Sequence, residues 1–249
     1  MTCAGRNSLL MLALAVSLVV NVLLGISARN CYIERKLAAV EPVFTHHFSK
    51  QNAAVKVAAD HPLVVLVGDS RIAQWNPSPH LDGYDLVNRG IGGETTAQMI
   101  HRFDTDVLAL KPKVVVIQSG INDLVAAGLA SPAAAARYRD NVIANLSGVA
   151  DRAKSAGITV ILLTIILPAE PGVLRRLVWS DRIPALALEV NRKLALLDAP
   201  PRVHVVDSQR VLQTAAGAWK PDVMRDTLHL GSAGYLELNM ALEAILIPH

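Results

Sequence analysis

A serine needs a base before its hydroxyl becomes a useful nucleophile, and the base needs a partner to orient it. The chain holds one serine and one histidine in contexts suited to that chemistry. Ser70 closes Leu63-Val64-Val65-Leu66-Val67-Gly68-Asp69-Ser70, an apolar run ending in a glycine-containing turn. His229 closes Asp226-Thr227-Leu228-His229 near the other end of the chain. On a turn, Asp226 can bond one imidazole nitrogen and fix the tautomer, leaving the other to take the Ser70 proton. Taken singly, both motifs have plainer readings. Asp-Ser after a strand is an ordinary helix cap, and Asp-x-x-His is a surface histidine beside a cap.

A developing oxyanion needs donors aimed at it. Asn88-Arg89-Gly90-Ile91-Gly92-Gly93 puts three glycines in four residues, which lets backbone N–H groups approach a ligand. Ser119-Gly120-Ile121-Asn122-Asp123 follows another apolar run and can present the amide of Asn122. The candidate donors are the N–H groups of Ser70 and Gly93 and the side chain of Asn122. A tight turn and a helix cap account equally well for these two segments in isolation.

The elements must bring these pieces to one place. Apolar runs at 63–67, 85–87, 113–118, 158–165 and 203–206 read as strands. Helical stretches fall near 95–109, 132–156, 181–198 and 232–246. Ser131-Pro132 is a start signal, and Ala156-Gly157 a stop. Alternating strand and helix predicts a parallel sheet covered on both faces. Ligands of such sheets sit beyond the carboxyl ends of the strands, where Ser70, the glycine block and Asn122 all fall. Other histidines are poorer bases on this map. His101 lies in a helix, His204 inside a strand, and His46 and His47 in a polar connector.

These four segments, in this order, resemble the SGNH (GDSL) hydrolase superfamily. Its blocks are matched by Gly68-Asp69-Ser70, by Asn88 through Thr96, by Gly120-Ile121-Asn122-Asp123 and by Asp226-Thr227-Leu228-His229. The resemblance covers residues 63–246. It implies a flavodoxin-like three-layer α/β/α sandwich with a central parallel sheet, and ester hydrolysis with no metal and no cofactor. By carry-over Ser70 is the nucleophile, Asp226 and His229 complete the triad, and Gly93 and Asn122 join Ser70 in the oxyanion hole. Two departures stand out. Arg71 follows the serine directly, where it could attract an anionic substrate or pair with an acidic neighbour. Trp75 could floor a pocket or pack under the first helix. The chain has no Gly-x-Ser-x-Gly elbow, which argues against the α/β-hydrolase fold.

Composition narrows the rest. Aromatics make up 4% of the 249 residues, so the core is aliphatic. A net charge of +3 with scattered basic residues gives no nucleic-acid surface. The two cysteines, Cys3 and Cys31, lie outside the presumed domain, which therefore has no disulfide, cysteine nucleophile or cysteine zinc site.

Leu9 to Ile26 is apolar except for Ser17, Asn21 and Gly25. At 1.5 Å per residue it spans about 27 Å, enough for a bilayer core. The expected organisation is a membrane anchor or signal segment over 1–27, a connector over 28–61 and the hydrolase domain over 62–249. Arg29, Arg35 and Lys36 after the segment favour a cytoplasmic domain by the positive-inside rule. A short tail with one apolar segment is instead the layout of exported or anchored proteins, and the expectation adopted is an extracytoplasmic domain on the periplasmic side. The expected activity is a serine esterase acting on a small-molecule, lipid or glycan ester, with a short acyl group. A deacetylase or acetyltransferase of cell-surface polysaccharide would use the same groups. A non-catalytic ligand-binding module of the same fold is the alternative outside enzymes. Specificity is expected from loops near 71–83, 124–131 and 168–181.

Overall fold

The structure is a computed structural model that describes residues 3–38, 47–56 and 60–247. Five strands alternate with helices: α1 (Cys3–Ala38), α2 (Ser49–Ala54), β1 (Leu63–Gly68), α3 (Ser70–Ala73), β2 (Asp85–Gly90), α4 (Thr96–Asp106), β3 (Val114–Gln118), α5 (Ile121–Leu129), α6 (Pro132–Ser155), β4 (Thr159–Leu163), α7 (Val173–Arg176), α8 (Ile183–Leu194), β5 (Val203–Val206), α9 (Ser208–Leu212) and α10 (Ser232–Leu246). The strands form one parallel sheet in the order β2-β1-β3-β4-β5. That is the flavodoxin-like order, with the switch point between β1 and β3.

Both faces of the sheet are buried, so the central strands are apolar at every position rather than at alternate ones. The pleat sends Val65, Val67, Val115, Ile117, Val160 and Leu162 to one face, under residues of α4, α5, α6 and α8. Val64, Leu66, Val116, Ile161 and Leu163 go to the other, under α3, α9 and α10. The helix signals hold. Ser131 accepts from the N–H of Ala134 with Pro132 in the first turn, and Gly157 closes α6 at φ +79°. Thr95 and Gln98 form a capping box at the start of α4.

Three local differences from the sequence reading matter for the site. The strand expected over 85–87 runs on to Gly90, because Asn88, Arg89 and Gly90 pair in register with Leu66, Val67 and Gly68. Residues 124–129, expected as a loop, belong to α5, where Leu124, Val125, Ala126 and Ala127 are buried. Asn122-Asp123, readable as a cap, was the only start signal of that run. Trp75 lies in the core against Tyr235, and its indole N–H donates to Asn239 Oδ1 at 2.7 Å, so it floors no pocket.

Within 28–61, α1 continues as helix to Ala38, and α2 follows. The Glu41-Pro42 break and His46 lie outside the described residues. From Met11 to Ile26 the large apolar side chains of α1 are exposed, Leu12 by 63% and Leu24 by 62%. This helix is long and apolar enough to cross a membrane, with a mean hydropathy of 2.3 over its most apolar 18 residues, and it is not a core helix of the domain.

Gly68 must be glycine for a reason the sequence alone does not expose. Its φ is +151°, and a Cβ there would lie 1.8 Å from the carbonyl oxygen of Gln118. Gly68→Ala is therefore expected to destabilise the domain by about 1–3 kcal/mol or more, through strain at a position that cannot relax. Urea unfolding followed by circular dichroism measures it; unchanged stability would show that β1 and β3 can part at this point.

Candidate active site

Strand register sets the site. Gly68 pairs with Gly90 on one side and Gln118 on the other, so three strand ends lie level. Ser70 is two residues beyond the first, Gly93 three beyond the second and Asn122 four beyond the third. The Asp226 loop reaches the same face from the end of the domain.

Asp69 satisfies the plain reading of its tripeptide as well as the chemical one. Its carboxylate accepts from the N–H of Arg71 and caps α3. Capping fixes Ser70 at the first helical position, 9% exposed, with its hydroxyl 3.1 Å from His229 Nε2. His229 Nδ1 lies 2.8 Å from Asp226 Oδ2 and 3.0 Å from Oδ1. Asp226 Oδ1 also accepts from the N–H groups of Leu228 and His229, at 2.8 and 2.9 Å. Burial pushes the Asp226 carboxyl up. Those two N–H groups and the imidazole outweigh it and hold it at about 2. The carboxylate is thus charged across the working range of the protein, and the imidazole edge facing Ser70 is the one able to take a proton.

Gly93 is exposed and adopts φ +78°, and a Cβ there would meet nothing within 4 Å, so the loop after β2 is open at this point. Asn122 is 9% exposed, and its amide nitrogen donates to the carbonyl of Glu94 at 2.9 Å. An amide nitrogen carries two hydrogens, so this bond orients the group and leaves a second donor for a ligand. The structure joins Ser70, His229 and Asp226 by hydrogen bonds and places Gly93 and Asn122 just beyond the two neighbouring strand ends. His101 is exposed on α4, His204 bonds the carbonyl of Pro201 from β5, and His47 is exposed against Phe48.

The residues behind the site were not singled out by sequence reasoning. Arg102, fully buried, donates to both carboxylate oxygens of Glu94 at 2.5 Å, to the Arg89 carbonyl at 2.7 Å and to Asp106 Oδ2 at 3.2 Å. It ties β2, the glycine loop and α4 into one unit. Burial still pushes the Glu94 carboxyl up to about 7 against that guanidinium. Asp123 accepts from the N–H and hydroxyl of Thr96 and joins the starts of α5 and α4; burial raises its carboxyl to about 6. The Arg102–Asp106 spacing of four on a helix was the readable signal. The partner Glu94 was not readable, because it lies eight residues away across a turn.

Arg71 is resolved by burial. It is 1% exposed and so meets no substrate. Its Nε donates to the carbonyl of Leu228 at 2.8 Å, and the Tyr235 hydroxyl donates to its own carbonyl at 2.9 Å. The residue after the serine therefore holds the loop that carries His229. Its charge faces Asp69, whose carboxyl is raised by burial and drawn back by Arg71.

Comparison with known proteins agrees with this fold. The chain belongs to the GDSL-like lipase/acylhydrolase family, whose model matches residues 52–236, and with it to the SGNH hydrolase superfamily. A GDSL-like lipase from Bacteroides thetaiotaomicron VPI-5482 is 26% identical with a TM-score of 0.64, over 81% of this chain and 96% of that one. An acetylxylan esterase, Axe2 from Geobacillus stearothermophilus, shares the fold at 20% identity and TM-score 0.58, over 76% and 95%. The uncharacterized lipoprotein YqeF of Bacillus subtilis (strain 168) is 35% identical over 106 residues, which span 42% of this chain and 42% of that protein. As a member of an acylhydrolase family the chain is a hydrolase of the esterase type.

Breaking a buried ion pair strands the partner charge. Arg102→Leu should cost about 3–5 kcal/mol by leaving Glu94 and Asp106 uncompensated. Denaturant titration at pH 7.5 tests it. The double variant with Glu94→Gln should recover part of the loss; no recovery would mean that Arg102 acts through packing alone.

Proposed function

We propose that the protein is a serine esterase that cleaves carboxylic esters of short acyl groups through an acyl-enzyme on Ser70. One observation carries this reading: Ser70 Oγ, His229 and Asp226 form a continuous chain of contacts at 3.1 and 2.8 Å. Ser70 Oγ attacks the ester carbonyl carbon while its proton passes to His229 Nε2. The carbonyl oxygen becomes an oxyanion, facing the N–H groups of Ser70 and Gly93 and the free amide hydrogen of Asn122. Collapse expels the alcohol, which takes the proton from His229. Water then attacks the acyl-serine and gives its proton to His229; collapse releases the acid, and His229 returns that proton to Ser70 Oγ. Every proton is carried by a group of this chain, and no step calls for a metal. A sugar hydroxyl in place of that water would make the same site an acyltransferase.

The protein acts outside the cytoplasm, anchored by α1 or released after its removal. The exposed apolar helix supports this, as does the lipoprotein name of the Bacillus relative. The soluble unit begins near Ala38 and keeps α2, whose Asn52 bonds Arg89 and Asp106.

Ser70→Ala should lower kcat on p-nitrophenyl acetate by about 10⁴–10⁶-fold with the fold intact, since members of such a relay act as a unit. It should also abolish labelling by a fluorophosphonate. A Ser70→Ala protein that still turns over, or still labels, removes the nucleophile from the scheme.

Asp226 stays ionised down to about pH 2, so it does not titrate where the enzyme works. Loss of kcat/KM toward acid pH should therefore not come from protonation of Asp226. Asp226→Asn should leave the fold in place and cost up to about 10⁴ in kcat, because the wrong tautomer is favoured. An Asp226→Asn enzyme near wild type would remove Asp226 from the relay.

A further inference from the structure

The segment between β4 and α8 borders the candidate site and is apolar where it faces outward. Ala169 N–H donates to the Thr227 carbonyl at 2.8 Å, and Thr227 Oγ1 donates to the Glu170 carbonyl at 3.4 Å, so its first half leans on the loop carrying Asp226 and His229. Four residues later comes α7. Val173 is exposed by 85%, Leu174 by 81% and Leu177 by 65%, more than most residues of the apolar helix α1. Three neighbouring apolar side chains this exposed are unfavourable in water.

The same crest is docked on α1. Arg29 Nε donates to the Leu177 carbonyl at 2.9 Å. Lys36 lies near Arg175, which itself sits 5.2 Å over the Trp179 ring. Arg29 is three residues past Ile26, about one turn of the same unbroken helix beyond the apolar span. A bilayer holding that span must therefore have its surface at the level of α7. The charges there are mainly positive: Arg29, Arg35, Lys36, Arg175 and Arg176, against Glu34 and Glu170. Exposed aliphatic tips with a basic surround are what an interfacial element presents to anionic headgroups.

We propose that the 173–177 crest inserts into the surface of an anionic bilayer and that the substrate is an amphiphilic ester presented from that bilayer. The substrate part rests on the esterase reading above; the insertion part rests on the anchor and the crest alone. The crest dips below the headgroups, and the rim of the site lies just above them. An ester whose acyl oxygen sits at headgroup depth then enters from the membrane side.

The test uses the full chain, with Cys3 and Cys31 changed to Ser, in vesicles of phosphatidylglycerol and phosphatidylethanolamine. A bimane label is placed through Leu174→Cys, Leu18→Cys or Asp151→Cys, and quenched by lipids with a nitroxide near the carboxyl end of the acyl chain. Labels at positions 174 and 18 should be quenched and the label at 151 should not. If 18 is quenched but 174 is not, the crest stays in water and the insertion is wrong. If neither is quenched, the anchor reading falls and the proposal with it. The second arm is the triple variant Val173→Asp, Leu174→Asp, Leu177→Asp, whose sites are too exposed to disturb the core. It should lose about tenfold or more in kcat/KM on a vesicle-borne ester while staying within about twofold on p-nitrophenyl acetate. Equal loss on both esters, or none on either, overturns the substrate part. Should wild type cleave neither ester, the esterase reading and the substrate part fail together, and the quenching result still decides the insertion.

Discussion

Gly68, Gly90 and Gln118 pair across three adjacent strands, and the site inherits its dimensions from that pairing. Parallel strands are spaced about 4.8 Å apart, so groups two to four residues beyond three level strand ends fall within one small molecule's reach. A slip of one residue in β2 would carry Gly93 away and turn Arg89 toward the opposite face. Edge strand β2 is only half-buried, and what opposes the slip is its pairing with β1 together with Leu86 and Val87, which pack on opposite faces of the sheet. The aliphatic core and the site geometry are thus one constraint seen at two places.

Register alone leaves the loops free, and charge buried behind them removes that freedom. Arg102 fastens the glycine loop to β2 and α4; Asp123 fastens α5 to α4; Arg71 fastens the serine turn to the histidine loop. Such groups add little net stability, since desolvation offsets most of the attraction. What they supply is position. A guanidinium with four occupied acceptors defines a geometry that an apolar side chain of the same volume would not.

Much of this was legible in the chain. The five strands, their parallel sense and the carboxyl-end location of Ser70, Gly93 and Asn122 follow from apolar runs and glycine punctuation. Helix α6 was marked at both ends. Helix α5 was marked only by Asn122-Asp123, readable as a cap; it begins at a glycine with φ +117° and is buried along its length, so no amphipathic period set it apart. The supporting charges were harder still. Arg71 next to a nucleophile reads as a substrate contact until burial is known, and Glu94 pairs with Arg102 only because a turn folds one over the other. Sequence spacing reports neighbours along an element; it is silent on what the chain stacks behind a loop.

Helix α1 runs without interruption from Cys3 to Ala38, and its last turns are fastened to the domain by Arg29. A protein tethered by slack chain can sweep a volume above its membrane. One mounted on a stiff helical mast cannot. For a chain anchored as proposed, the search for substrate becomes two-dimensional, and the height of Ser70 above the lipid is a fixed length rather than a distribution. Lateral diffusion then sets the encounter rate, and lengthening or shortening the mast by single residues would swing the domain about the helix axis by about 100° per step.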